Sequence, residues 1–190
     1  MKICIYGASS DDISKNHIEK TYELGQKLAL AGHSLVFGGG AHGLMGAAAR
    51  GFADKKGEII GVSPKFFDHD DILYPNCTEL IFTNTMRERK QIMEDKSDAF
   101  VVTPGGIGTF EEFFEILTLK QLERHNKPIA IFNTDGYYNP MIELLNHAVT
   151  QGFMRKSCMD IFKVTDNADE LIDYIDTYDK TKVDLSHLKY

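Results

Sequence analysis

The strongest chemical signal in this sequence is the glycine-rich segment 103–109, Thr-Pro-Gly-Gly-Ile-Gly-Thr. Glycine lets the backbone approach an anion closely, and the unpaired N–H groups at the start of a helix favour a phosphate. Thr109 adds a hydroxyl donor, while Glu111 and Glu112 fall in the first turn of the predicted helix. The segment predicts a phosphate site with a carboxylate beside it. A tight strand-to-helix turn, with acids placed to suit the helix dipole, is the alternative.

A second glycine cluster at 38–46 formally matches the dinucleotide-binding pattern GxGxxG. That pattern also needs an acidic residue about 20 residues on, at the end of the next strand. Glu58 lies near that distance but at the start of the strand, so NAD is disfavoured. Close packing of a helix on the sheet, or the lining of a smaller ligand, explains the cluster better. His42 is interpreted as a turn residue.

The charged run Met86-Arg87-Glu88-Arg89-Lys90 has two interpretations. Such runs usually form the solvated face of a helix. The functional interpretation is that a guanidinium points into the cleft to meet a phosphate or a developing charge, supplemented by Lys90.

Short β-rich runs alternate with helical patterns along the whole chain. Strands are predicted at 2–6, 34–37, 58–62, 79–83, 99–103, 129–133 and 161–164, and helices at 14–31, from the second glycine cluster through Phe52, and at 86–96, 109–124, 140–151 and 169–178. This order predicts an α/β fold, a doubly wound parallel sheet of about six to seven strands with helices on both faces. The glycine-rich loops would then follow strand ends along one rim of the sheet, where ligands bind in such folds.

Composition bounds the remaining possibilities. The chain has 190 residues, 43% hydrophobic and 26% charged, which predicts one domain over 1–180 with a polar tail at 181–190. A net charge of −7 argues against nucleic-acid binding, which depends on Lys and Arg. Neither a signal peptide nor a membrane span is predicted. Three widely spaced cysteines suggest reduced thiols and a cytoplasmic location, and no metal-ligand spacing is present.

Two motifs together, Met86-x-x-Arg89-Lys90 and Pro104-Gly105-Gly106-x-Gly108-Thr109-x-x-Glu112, resemble the LOG (LONELY GUY) family. Its members are cytokinin riboside 5′-monophosphate phosphoribohydrolases, often mislabelled as lysine decarboxylases. The glycines of the second cluster, the segment Asp135-Gly136-Tyr137-Tyr138 and the pair Gly152-Phe153 extend the resemblance from about residue 3 to residue 169.

The resemblance implies a modified Rossmann fold and a homodimer whose sites include residues of both subunits. It implies hydrolysis of the N-glycosidic bond of a purine nucleoside 5′-monophosphate, AMP or an N6-modified relative, to free base and ribose 5-phosphate. Arg89 and Glu112 fall on the catalytic pair. The implied substrate-binding positions are Gly39, Gly40, Asp71, Met86, Lys90, Gly105, Gly106, Ile107, Gly108, Thr109, Glu111 and Thr118.

These residues suit that chemistry. Departure of the base leaves oxocarbenium-like charge on the ribose, which Glu112 would stabilise while deprotonating an attacking water. Arg89 would hold the substrate and stabilise negative charge. The glycine loop would anchor the 5′-phosphate, and no metal or redox cofactor is required.

Two other functions, a nucleotide carrier and a lysine decarboxylase, are weighed against the hydrolase, and the oligomeric state is a separate question. The same loops would serve a non-catalytic nucleotide-binding or carrier protein, although a phosphate cradle alone needs neither Arg89 nor Glu112. Lysine decarboxylation is set aside, because nothing marks a lysine that would carry pyridoxal phosphate. The apolar stripe of Phe110, Phe113, Phe114 and Leu117 predicts either a dimer contact or a thicker intrachain cover.

Overall fold

The computed structural model describes residues 1–67 and 72–179. Within these residues, seven strands alternate with six α-helices and three short 3₁₀ turns. The strands are β1 (Lys2–Tyr6), β2 (Ser34–Phe37), β3 (Ile59–Pro64), β4 (Glu79–Thr83), β5 (Ala99–Val102), β6 (Ile129–Phe132) and β7 (Lys163–Thr165). The helices are α1 (Lys15–Leu30), α2 (Gly43–Asp54), α3 (Met86–Lys96), α4 (Ile107–Gln121), α5 (Asn139–Thr150) and α6 (Ala168–Thr177).

All neighbouring strands pair in parallel, in the order β4-β3-β2-β1-β5-β6-β7. The chain builds outward from β1 to β4, then returns to the other side of β1 and builds outward again. The order therefore reverses between β1 and β5, and a doubly wound sheet binds its ligands at the carboxyl ends of the strands beside such a reversal. The predicted fold class is confirmed, with seven strands.

The central strands of the sheet are buried on both faces, whereas the edge strand β4 is largely exposed. Strand β1 shows how the sequence achieves this burial. Ile3 and Ile5 enter one apolar layer, while Cys4 and Tyr6 enter the other. Since neighbouring residues of a strand point to opposite faces, a continuous apolar run fills two cores at once. Helices α1, α2 and α6 contribute to the layer with Ile3, and helices α3, α4 and α5 to the layer with Tyr6.

The predicted element bounds are close to those observed, and α4 is shifted at both ends. This helix begins at Ile107 rather than at residue 109, because Gly106 takes an extended capping conformation and Gly108 joins the first turn. It ends at Gln121 rather than at residue 124, since Glu123 adopts a positive φ of 58°. The glycine-rich loop is thus shorter than predicted and leads directly into the helix.

Asp71, predicted to contact the substrate, and the tail at 181–190 lie outside the described residues, and a single domain over 1–180 stays a prediction. Within 1–67 and 72–179, no helix is both long and apolar enough to cross a membrane.

Candidate active site

The first turn of α3 is built to orient Arg89. Thr85 caps this helix: its Oγ1 accepts a hydrogen bond from the Glu88 N–H at 3.1 Å, and Glu88 Oε2 accepts one from the Thr85 N–H at 3.3 Å. This reciprocal capping box fixes where the helix begins. It therefore also fixes the direction of the Arg89 side chain, four positions after the cap.

Arg89 is held by acceptors on two other elements. Its Nε donates to the carbonyl of Val62 in β3 at 3.2 Å, and its Nη1 donates to Glu112 Oε1 on α4 at 3.0 Å. Arg89 is 7% exposed and Glu112 is 9% exposed. A Cβ atom at Gly38 would lie 1.9 Å from Arg89 Nη2. The guanidinium therefore occupies space that only glycine leaves open after β2.

Burial and the Arg89 charge act on Glu112 in opposite directions. Burial raises the pKa of Glu112 above its ordinary value, and the charge and hydrogen bond of Arg89 offset part of that rise. Cys4 lies in the same apolar environment, and burial raises the pKa of its thiol to about 12, so it stays neutral. A carboxylate with a raised pKa is a better proton acceptor near neutral pH than an exposed one.

The N-terminus of α4 is open toward solvent. Gly106 is its N-cap and offers no side-chain acceptor, and residues 106–108 are exposed. In the described part of the chain, the N–H groups of residues 107–109 have no hydrogen-bond acceptor. Free N–H groups at a helix start form a ready anion site, and the helix dipole favours negative charge there.

The glycines of this loop differ in why glycine is present. A Cβ atom at Gly105 would lie 2.2 Å from Thr109 Oγ1, so Gly105 is required by packing within the chain. Cβ atoms at Gly106 and Gly108 would meet nothing within 4 Å. Intrachain packing therefore gives no reason for glycine at 106 and 108, whereas close approach of a ligand to the backbone does.

Lys90 and Glu111 contact each other across the α3–α4 boundary. Lys90 Nζ hydrogen-bonds to Glu111 Oε1 and lies 2.9 Å from Glu115 Oε2. Burial works to lower the pKa of Lys90, but its bonds to the two carboxylates raise it overall. Both predicted binding residues thus flank the pair formed by Arg89 and Glu112, and Lys90 stays charged.

The second glycine cluster is covered by its own chain. Gly39 and Gly40 are buried, the Gly39 carbonyl accepts from the Tyr74 N–H at 2.8 Å, and Gly40 forms a bridge with Leu73. The N-terminus of α2 is occupied as well, since Asp11 Oδ1 accepts from its first N–H at 2.7 Å. The dinucleotide interpretation needs that N-terminus free for a pyrophosphate, so the geometry does not favour it.

The remaining predicted positions are spread more widely. Met86 opens α3 and is 39% exposed, and Ile107 opens α4 and is 86% exposed. Thr118 is exposed about 10 Å beyond Glu111 along α4, at a rise of about 1.5 Å per residue. Within one chain it is separated from Glu112 by more than a turn of helix, and its role in binding stays a prediction.

Sequence reasoning missed two contributors to the site, Gly38 and the carbonyl of Val62. The run of three glycines after β2 was the available signal, but its role is to leave room for Arg89. In the described ranges, no group of three or more His, Cys, Asp and Glu side chains is arranged to hold a metal. Two grooves of about 370 and 470 Å³ between α1 and α6 contain none of the predicted site residues.

The chain is similar to known proteins over most of its length. The profile of a family described as "Possible lysine decarboxylase" matches residues 45–175. A rice protein (Oryza sativa subsp. japonica) named "Probable cytokinin riboside 5'-monophosphate phosphoribohydrolase LOGL2" is 36% identical over 177 residues, 93% of this chain and 72% of that protein. The Arabidopsis thaliana protein named "Cytokinin riboside 5'-monophosphate phosphoribohydrolase LOG5" is 34% identical over 177 residues, 93% of this chain and 78% of that protein.

Solved structures share the fold at lower identity. The molybdenum cofactor carrier protein of Chlamydomonas reinhardtii aligns with a TM-score of 0.70 and 23% identity over 92% of this chain and 95% of that one. The molybdenum cofactor binding protein of Rippkaea orientalis aligns with a TM-score of 0.68 and 21% identity, over 93% and 94% of the two chains. These likenesses support the Rossmann-like architecture.

Proposed function

This chain belongs to the LOG family of cytokinin riboside 5′-monophosphate phosphoribohydrolases, and from that premise we propose that it is a nucleoside 5′-monophosphate phosphoribohydrolase. It hydrolyses the N-glycosidic bond of a cytokinin riboside 5′-monophosphate, and its substrate range includes plain AMP. The products are free base and ribose 5-phosphate. The observation that carries this proposal is the buried contact between Arg89 and Glu112, next to the open N-terminus of α4.

The phosphate supplies the anchor. The free N–H groups at the start of α4 and the Thr109 hydroxyl bind the 5′-phosphate in the space left open at Gly106 and Gly108. Helical side chains lean toward the N-terminus of their helix, so the Glu112 carboxylate leans back toward this anchor. The ribose then lies between the two, and its anomeric carbon meets the carboxylate.

Glu112 and Arg89 divide the chemistry. As the base departs, the ionised carboxylate of Glu112 stabilises the positive charge that develops on the ribose and takes a proton from the attacking water. Burial raises the pKa of Glu112, and Arg89 offsets part of that rise and so favours the ionised carboxylate. Arg89 also stabilises negative charge on the departing base. Bulk water is excluded around Arg89 and Glu112. This strengthens the attraction between Glu112 and the positive ribose, and between Arg89 and the departing base.

The test is a product assay on purified protein. Incubation with AMP and with isopentenyladenosine 5′-monophosphate should release free base and ribose 5-phosphate in equal amounts. Both products are measured by chromatography. Adenosine, which lacks the phosphate, is the matched control and should not turn over. Release of inorganic phosphate with the nucleoside intact, or the absence of turnover with both nucleotides, contradicts the proposal.

A non-catalytic carrier remains the alternative to test. The molybdenum cofactor carriers share the fold, and a carrier would bind AMP saturably without releasing a product. A carrier has no need for an arginine and a carboxylate buried against each other beside the phosphate site, which is the observation that favours the hydrolase.

The site also includes residues of a second subunit in this proposal. Much of the apolar stripe on α4 is covered within the chain, since Phe113 and Leu117 are buried. Other large apolar side chains stay exposed on α4, on α5 and just after α5: Ile107 (86%), Phe114 (36%), Leu144 (63%) and Phe153 (89%). Light scattering should give about twice the chain mass of 21.4 kDa. A mass near that of one chain refutes the homodimer.

A further inference from the structure

We propose that Tyr137 and Tyr138 are positioning residues for the phosphate site, because their hydroxyls orient the peptide groups of the glycine loop toward the anion. The inference rests on the proposed function, in which this loop holds the 5′-phosphate. Neither tyrosine is part of the catalytic or binding set described above.

Three consecutive carbonyls of the loop are each held by a different donor. The Tyr138 hydroxyl donates to the carbonyl of Thr103 at 2.8 Å, the Ala8 N–H to that of Pro104 at 3.0 Å, and the Tyr137 hydroxyl to that of Gly105 at 2.7 Å. The backbone from 103 to 106 is thus fixed by β1, through Ala8, and by the turn after β6, through the two tyrosines.

Fixing a carbonyl also fixes the N–H group of the same peptide. In a planar trans peptide the C=O and N–H groups point in opposite directions. Because the Gly105 carbonyl points at Tyr137, the Gly106 N–H points away from Tyr137. By the same rule, the Gly105 N–H points away from Ala8, because the carbonyl of Pro104 points at the Ala8 N–H. Among the described residues neither N–H has an acceptor, so both are available to an anion.

The hydroxyl of Tyr137 also makes the Gly106 N–H a stronger hydrogen-bond donor. A carbonyl that accepts a hydrogen bond polarises its amide, which makes the N–H on the other side of that peptide a better donor. The peptide held by Tyr138 has no such effect, because its nitrogen belongs to Pro104 and carries no hydrogen. The two neighbouring tyrosines therefore differ: Tyr137 acts on a donor to the phosphate, and Tyr138 holds the path of the chain.

Tyr137 is itself held in position by contacts from α1. The turn before it contains Asp135 at a φ of 55°, and the Asp135 carboxylate accepts from Asn16 Nδ2 at 2.6 Å and pairs with Lys20 Nζ at 3.4 Å. The His17 ring meets the Tyr137 ring edge-on at 6.1 Å between centroids. The left-handed turn is thus stabilised by side chains of another element, and it directs the tyrosine hydroxyl onto the loop.

The test compares Tyr137→Phe with wild type and with Tyr178→Phe. Tyr178 is a matched control, because its hydroxyl also makes hydrogen bonds within the chain, to Lys120 and Asn126, but makes none to the loop. Ribose 5-phosphate and adenosine are the two ligands, measured by calorimetry. A net hydrogen bond corresponds to roughly a two- to tenfold change in affinity.

We expect Tyr137→Phe to weaken ribose 5-phosphate binding about fivefold and to raise KM for the nucleotide by a similar factor, with kcat and adenosine binding unchanged. Tyr178→Phe should lower Tm and leave ribose 5-phosphate binding as in wild type. Tyr138→Phe should lower Tm, because it leaves the buried carbonyl of Thr103 without its partner. Its effect on ribose 5-phosphate affinity should be smaller than that of Tyr137→Phe.

The outcomes separate this inference from the proposed function. Wild-type protein that binds ribose 5-phosphate but releases no base overturns the hydrolase, while the comparison of Tyr137→Phe still decides the inference. Equal affinity of wild type and Tyr137→Phe overturns the inference and leaves the hydrolase intact. Wild-type protein that binds no ribose 5-phosphate at millimolar concentration overturns the inference, because no anion then occupies the loop, while release of free base still decides the hydrolase.

Discussion

Arg89 Nη1 lies 3.0 Å from Glu112 Oε1, and both residues are buried. Removing two charges from water costs free energy that their attraction repays only in good geometry, so a buried ion pair is weak support for stability. Here the carboxylate accepts one bond from the guanidinium and lies beside a helix N-terminus that is open to an anion. The pair is therefore better explained by chemistry than by stability.

Replacing Glu112 with Gln should abolish turnover. The amide preserves the volume and a hydrogen bond to Arg89, but it can neither take a proton from water nor carry the charge that stabilises an oxocarbenium ion. We expect kcat to fall at least about 100-fold, the lower range for loss of a general base. Glu115→Gln is the matched control, since Glu115 lies one turn on in α4 and pairs with Lys90 at 2.9 Å. More than a tenth of wild-type activity in Glu112→Gln contradicts the assigned role.

Replacing Gly38 with Ala should displace Arg89. The added Cβ atom would lie 1.9 Å from Arg89 Nη2 and 3.0 Å from its Cζ, so the guanidinium must move away from Glu112. We expect at least about a tenfold loss of kcat, since misplaced catalytic groups are costly even at small displacements. Gly57→Ala is a remote control whose Cβ would lie 2.9 Å from Phe52. It should alter Tm alone, and wild-type kcat in Gly38→Ala would show that the room for Arg89 is unimportant.

Replacing Gly106 with Ala should impair binding without impairing the fold. The new Cβ meets nothing within 4 Å, and the φ of −96° lies outside the left-handed region that favours glycine. We expect Tm near that of wild type and KM for the nucleotide raised about tenfold, because the methyl group occupies space that the phosphate needs. Gly105→Ala provides the contrast: its Cβ would lie 2.2 Å from Thr109 Oγ1, so both Tm and KM should change. An unchanged KM in Gly106→Ala argues against an anion at this position.

Lys120 should make the protein more stable as pH rises above neutrality. Its side chain is fully buried, its Nζ donates to the Lys127 carbonyl at 2.9 Å and to the Tyr178 hydroxyl at 2.7 Å, and burial lowers its pKa from 10.5 to about 7. Between these values the unfolded chain holds the proton that the folded chain has released, so the free energy of unfolding increases with pH. The rise is on the order of 4 kcal/mol between pH 7 and 10.5.

Lys120→Met should remove this rise, measured by urea unfolding across the same pH range. The exposed Lys27, which pairs with Asp169 at 2.7 Å, provides the control, and Lys27→Met should keep the wild-type pH dependence. A wild-type slope in Lys120→Met would show that the buried amine does not titrate in this window.

The sequence by itself determined the elements and the glycine loop at which the phosphate site is proposed. The order of strands and helices, the glycine turn before α4 and the approximate bounds of most elements follow from local rules: apolar periodicity, β-branched runs, and glycines at strand ends. The motifs also predicted that Arg89 and Glu112 form the catalytic pair. These features depend on residues close together in the chain, so a linear pattern records them.

The tertiary structure alone decided which of those residues meet. Arg89 reaches Glu112 across 23 residues of chain, and Tyr137 reaches Gly105 across 32. Gly38 contributes only an absence of atoms, which has meaning only once the Arg89 side chain occupies that space. Burial, which raises the pKa of Glu112 and lowers that of Lys120, results from all the packed layers together. Such contacts form between elements distant in sequence, and their geometry is set by the strand order and the packing of helices on the sheet.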